Sequence, residues 1–191
     1  MAKQVIGTHN GCFHCDEVLA IAMLKQLPEY KDADIIRTRD MTKLGTCSIV
    51  VDVGGVFDAA SHRYDHHQPS FDLTIKDFHP QLKPTLKLSS AGLVYAHFGK
   101  RVIAEIVGKL NSDADLETLF KQVYTSLISE VDAIDNGVPI ADCPTNYHIS
   151  TGLSSRVERL NPAWNKPDDE AVSFIPELLL KFQTKETVVN N

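Results

Sequence analysis

"CSIVVDVGG", residues 47–55, decides how the rest of the chain is read. Its residues Ile49, Val50, Val51 and Val53 form an apolar run broken only by Asp52, as suits a strand covered on both faces, and Gly54 and Gly55 stop it. Such a strand belongs inside a parallel sheet, so its neighbours should be strands joined by helices. "VIGT" (5–8) is a short β-prone run that breaks into His9-Asn10-Gly11. "DEVLAIAMLKQL" (16–27) carries Val18, Leu19, Ala22, Met23, Leu24 and Leu27 at helical spacing and ends at Pro28. "ADIIRTR" (33–39) reads as a second strand, and residues 62–68 add a short strand or edge. The predicted fold is therefore α/β: a parallel sheet with right-handed crossovers and helices on both faces.

The later half reads as helical. "SSAGLVYAHFG" (89–99) has Ser89 or Ser90 as N-cap and Gly99 as its stop. "VIAEIVGKL" (102–110) continues or repeats it, and residues 115–137 form a long amphipathic helix with Leu116, Leu119, Phe120, Val123, Leu127, Ile128 and Val131 on one side. Residues 72–87 read as a surface loop. The division expected is a catalytic domain over 1–140 and a helical, partial carboxyl-terminal extension over 141–191.

The chain has 191 residues, 43% hydrophobic and 23% charged, which is enough apolar material for one core. A formal charge of −6 excludes a protein that wraps nucleic acid by net positive field. It leaves room for an enzyme that holds phosphates with metal ions and a few local cations. Cys12 and Cys15 make a single CxxC without a second pair, so a zinc ribbon is disfavoured, and reduced thiols are expected. The amino terminus enters a strand at once, leaving no room for a leader, and no apolar stretch is long enough to span a bilayer. An intracellular protein is expected, in nucleus and cytoplasm, with the mitochondrion as an alternative.

Four segments bring metal-ligand types to strand ends or just beyond. The first holds His9, His14, Asp16 and Glu17; the second is Asp52, at the end of the central strand. The third is Asp65-His66-His67 within "YDHHQ", and the fourth is "VDAIDNG", where Asp132 and Asp135 lie one helical turn apart. Each alone has a plain explanation as a cap, turn or solvated face. Together they would converge at the carboxyl edge of the sheet, where ligands of such folds gather, and converging like charges must be neutralised by protons or metal. Oxygen and imidazole ligands suit Mn²⁺ or Mg²⁺ ahead of Zn²⁺, Co²⁺ or Fe²⁺. About six ligands exceed one tetrahedral ion, so two ions are expected with Asp52 bridging them, a cluster suited to phosphoester hydrolysis. No Walker or GxGxxG spacing is present.

In this order, "GTHNGCFHCDE", "VVDVGG", "HRYDHHQ", "KLSSAGLVY", "EVDAIDNG" and "RLNPAWN" resemble the DHH phosphoesterase superfamily, and more closely its MYG-type (UPF0160-like) branch. The resemblance spans roughly residues 4–167 and implies a Mn²⁺-dependent 3′–5′ RNA exonuclease linked to nuclear and mitochondrial RNA processing. It implies metal ligation by His9, His14, Asp16, Asp52 and His66, with either Asp132 or Asp135 completing the set. His67 is expected at the scissile phosphate and Asp65 behind a histidine. His9 stands one residue farther upstream than the superfamily spacing, and His14 stands where that pattern has an aspartate. Members of the branch continue after "NPAWN", so most of that region is expected to be missing here. Expected partners are RNA or a short oligonucleotide, no membrane, and a second copy of the chain as a further candidate. Two alternatives stay open: a hydrolase of a small phosphate compound such as pyrophosphate, and an inactive metal-binding module. Arg37 and Arg39 read either as approaches to an anionic substrate or as surface cations paired with Asp40. Ser89 and Ser90 read as caps or as a phosphate-holding helix start, and Arg156 as a nucleotide contact.

Overall fold

The structure, a computed structural model, describes residues 3–162. Five strands form one sheet: β1 (Val5–Thr8), β2 (Asp34–Arg37), β3 (Ile49–Val51), β4 (Phe57–Asp58) and β5 (Arg63–Tyr64), in spatial order β2-β1-β3-β5-β4. Pairings β1/β2, β1/β3 and β3/β5 are parallel; β4, an edge strand the sequence pattern did not reveal, pairs antiparallel with β5. Ile49, Val50 and Val51 are all fully buried, as the unalternating apolar run requires.

Helices cover both faces unequally. Ile6, Ile49 and Val51 face the main core with Val18, Ile21 and Leu24 of α1 (Cys15–Leu24) and Leu93, Val94 and Phe98 of α3 (Ser90–Val107). On the other face Val50 and Val53 meet Leu44 and Cys47, carried by the five-residue α2 (Met41–Gly45) and its exit. Asp40 starts α2 by accepting a hydrogen bond from Thr42 N at 2.9 Å. The chain thus leaves β1 over one face and returns from β2 over the other. That reversal opens a crevice between the carboxyl ends of β1 and β3.

The helix expected to stop at Gly99 runs on to Val107, and Gly108, at φ 74°, ends it. Gly99 serves a different need: a methyl there would lie 2.7 Å from the Tyr95 ring and 2.9 Å from the Phe120 ring. Those two rings stack with centroids 4.7 Å apart, and Tyr95 donates its hydroxyl to Phe120 O at 2.7 Å. The long helix runs from Asp113 to Asp135 as α4 (Asp113–Val123), a π-turn (Tyr124–Ile128) and α5 (Ser129–Asp135). The widened turn shifts the helix phase, so Phe120, Tyr124, Ile128, Val131 and Asp132 are all buried. α6 (Leu153–Glu158) anchors with Val157 in the main core. Of the expected extension, residues 163–191, including Trp164, lie outside the described residues.

Gly99→Ala separates these two roles. A solvated helix position would gain up to about 1 kcal/mol from alanine, whereas the collision with Tyr95 and Phe120 should cost about 1–3 kcal/mol. Urea denaturation should therefore show a lower midpoint; a higher one would mean the rings do not need the space.

Candidate metal centre

The sheet register builds the site. Gly7 faces Val50 and Val51 faces Tyr64, so one or two residues farther on, His9, Asp52 and Asp65 leave three adjacent strands side by side. Asp52 adopts φ 57°, the left-handed region that aspartate tolerates better than most residues. Gly54 and Gly55 follow with positive φ and carry the chain away. α1 starts at the same edge: Glu17 accepts hydrogen bonds from His14 N with both oxygens, at 3.0 and 2.9 Å, so Glu17 caps the helix, leaving Asp16 free to turn inward.

Asp52 lies at the centre. Its Oδ2 is 3.3 Å from His9 Nε2, and its Oδ1 is 3.5 Å from His66 Nε2. His66 Nε2 also lies 3.1 Å from Asp135 Oδ2 and 3.8 Å from Asp16 Oδ2. Two groups result, each with its ligand atoms within 4.8 Å of one another: His9, His14, Glu17 and Asp52, and Asp16, His66 and Asp135. A third combination joins Asp52, His66 and His67. His9 Nδ1 donates to Asn10 O at 3.0 Å, which leaves Nε2 as the ring atom aimed at Asp52.

The electrostatics are unbalanced without a cation. Both Asp16 oxygens, Asp52 Oδ2 and Nε2 of His9 and His66 are buried without a hydrogen-bond partner. Burial, then the Asp52, Asp135 and Glu17 charges, push the Asp16 carboxyl well above its usual range. Burial and Asp52 also raise Asp135, against His66, which lowers it. Burial opposes charge on Asp52 too, but His66 and His9 outweigh it and hold Asp52 below the ordinary carboxylate range. Burial likewise disfavours a charged His9, yet the Asp52 and Glu17 carboxylates beside its Nε2 push it up to about 10. Unpartnered buried carboxylates interleaved with buried imidazoles fit a divalent cation of the Mn²⁺ or Mg²⁺ kind.

Asp132 and Asp135, which the sequence left as alternatives, are separated by their surroundings. Asp132 is fully buried and accepts from Ser89 N at 2.9 Å and Ser89 Oγ at 2.7 Å. Burial raises it to about 7 in spite of these bonds. A methyl on Gly92 would come within 2.4 Å of its Oδ1, so α3 and α5 touch through this carboxylate. Asp135 is the one whose carboxylate reaches His66. Asp65 accepts from His67 Nδ1 at 2.7 Å and from Gly55 N at 2.6 Å, so it orients His67, whose side chain is 60% exposed.

Other expected contacts are engaged elsewhere. Arg37 donates to His9 O at 3.2 Å and to Gly11 O at 2.8 Å and lies 3.9 Å from the Phe13 ring centroid, bracing the first loop. Ser89 is committed to Asp132, and Ser90 Oγ donates to Asp52 Oδ1 at 3.3 Å. Arg39 and Arg156 are exposed, and Asp40 is used as the α2 cap. Glu17, named with the first segment but absent from the ligand set that the resemblance implies, joins the cluster; its place three residues after His14 is that of a capping box.

The sequence pattern of UPF0160, described as an uncharacterised protein family, matches residues 5–177. The chain belongs to this family. It is 52% identical over 171 residues to the MYG1 exonuclease of Homo sapiens, covering 89% of this chain and 46% of that relative. Against the MYG1 exonuclease of Mus musculus it is 50% identical, covering 89% and 45%; against the MYG1 protein C27H6.8 of Caenorhabditis elegans it is 48% identical, covering 87% and 49%. The chain spans about half the length of these curated relatives. No solved structure matches it. No helix among the described residues is long and apolar enough to cross a membrane.

A pH dependence follows for this UPF0160 chain when freed of metal with a chelator. His9 is raised from 6.5 to about 10, a contribution present below 6.5 and lost as pH climbs to about 10. Asp132 is raised from 3.8 to about 7, so its protonated form favours folding and that contribution is gone above about 7. Within the centre, Asp52, held low, acts in the opposite direction, and only below about pH 4. Urea midpoints should fall from pH 5 to pH 9, and added Mn²⁺ should raise them most at the alkaline end. A flat or rising profile would contradict the arrangement of charges.

Proposed function

We propose that the chain is the catalytic part of a divalent-metal-dependent phosphodiesterase of the DHH type, acting as a 3′–5′ RNA exonuclease in the nucleus and cytoplasm, with the mitochondrion as the alternative. One observation carries the chemistry: the two oxygens of buried Asp52 face histidines on opposite sides, as a carboxylate shared between two cations would. The relatives named MYG1 exonuclease support nuclease activity, and the ordered motifs support RNA as substrate. His9, His14 and Asp52, with Glu17 alongside, would hold one ion; Asp16, His66, Asp135 and the other Asp52 oxygen would hold the second.

Such an ion pair supplies activation of water and neutralisation of phosphate charge. The chain's own residues do the positioning. Ser90 donates to Asp52 and fixes its rotation. Asp65 holds the Nδ1 proton of His67, so the exposed Nε2 edge is left to meet a phosphate oxygen. Asp132 secures the helix start at Ser89 and thereby the height of Asp135 on α5.

A 5′-labelled RNA oligomer incubated with Mn²⁺ should shorten stepwise from its 3′ end, and a chelator should stop the reaction. Asp52→Asn should lower the rate more than about 100-fold, beyond what loss of an outer partner of a metal site causes, while the urea midpoint stays near that of the parent. Turnover retained by this variant would refute the shared-carboxylate role. Hydrolysis of pyrophosphate with RNA left intact would favour a small phosphate substrate, for which the −6 charge speaks. Mn²⁺ stabilisation without turnover of either would favour an inactive metal-binding module.

A further inference from the structure

The loop from His9 to His14 brings two imidazoles to one side of Asp52, yet little holds the second one. His14 is exposed, and its ring centroid lies 5.0 Å from that of His9. Where that ring points therefore depends on the backbone that carries it. Glu17 holds His14 N from within α1. The preceding peptide groups are held from the far end of the described chain. Asn161 Oδ1 accepts from Phe13 N at 2.6 Å, and Asn161 Nδ2 donates to Phe13 O at 2.9 Å, across 148 residues of sequence. This bidentate amide clasp satisfies both polar groups of Phe13, whose ring is buried beneath the Arg37 guanidinium. Asn161 lies three residues beyond the end of α6, which Val157, 1% exposed, fixes in the main core with Leu153 and Leu160 packed beside it. The clasp is thus mounted on a rigid support.

We propose that Asn161 is a positioning residue for the His9–His14 half of the centre. By pinning the Phe13 backbone it sets where the His14 imidazole stands, and with it the affinity of that half for a divalent cation. The inference rests on the two-cation reading above. The other half, Asp16, His66 and Asp135, makes no hydrogen bond to Asn161 among the described residues. Loss of the clasp should therefore act on one ion and spare its neighbour. Partners of this outer kind change metal affinity by about 10–100-fold.

Mn²⁺ titration by calorimetry, with electron paramagnetic resonance of the loaded protein, provides the test. The parent chain should bind two Mn²⁺ and give the spectrum of a spin-coupled pair. Asn161→Ala should keep one site and weaken the other by about 10-fold or more, its spectrum passing to that of isolated Mn²⁺ at one equivalent. Asn161→Asp keeps the volume and the acceptor for Phe13 N but turns an oxygen toward Phe13 O; it should show the same selective loss and stands in if the alanine variant does not fold. Val157→Ala loosens α6 without touching the clasp, so it should lower the urea midpoint and keep both sites. Two unchanged sites in either folded Asn161 variant, or equal weakening of both, would overturn the role of Asn161 alone. A parent chain that does not bind two ions would overturn the two-cation reading and this inference with it.

Discussion

Asp52 ties sheet, loops and charge together. It leaves the most buried strand in a left-handed turn, so that its carboxylate points along the crevice instead of continuing the pleat. Negative charge there is bearable because His9 and His66 approach from opposite sides, drawn in by the strands on either flank. The sheet order makes this arrangement available: with β1 and β3 adjacent and their connections passing over opposite faces, the space at their carboxyl ends stays uncovered.

Around that carboxylate the protein buries more negative charge than its histidines offset. Asp16 is fully buried and its oxygens find no hydrogen bond. A fold shaped only for stability would replace such a group with an apolar one, since bare carboxylates are costly to bury. Local strain and unmet polar groups at one edge, beside a conventional core elsewhere, are the pattern of a site organised for a cation. The two oxygens of Asp52 face His9 and His66 separately, and the proposal of two cations rests on that.

The helical half acts as a frame that sets the heights of the site residues. The Tyr95–Phe120 stack fixes α4 against α3, made possible by the missing side chain at Gly99. One turn above the site, the Ser89–Asp132 contact locks α5 to the start of α3 at the place where Gly92 allows the closest approach. Asp135 then emerges beside His66. The π-turn supplies the phase that places both aspartates on the inner side.

Much of this was legible in the chain alone. Unbroken apolar runs give buried strands, helical periodicity gives α1, α3 and the 113–135 helix, and motif order gives the family, because these signals are local and repeat at fixed spacing. The cluster of His9, Asp16, Asp52 and His66 could be anticipated, since residues that end adjacent parallel strands or open the next helix must share an edge. What local spacing cannot express is which neighbour covers a side chain. Asp132 and Asp135 share a helical face, so only the docking of Ser89 separates the buried tie from the group that meets His66. Gly99 looks like a stop until Phe120 arrives from another helix. Asn161 lies in the "RLNPAWN" motif, but its role is not legible there, because the backbone it clasps lies 148 residues away and the two meet only when α6 is seated in the core.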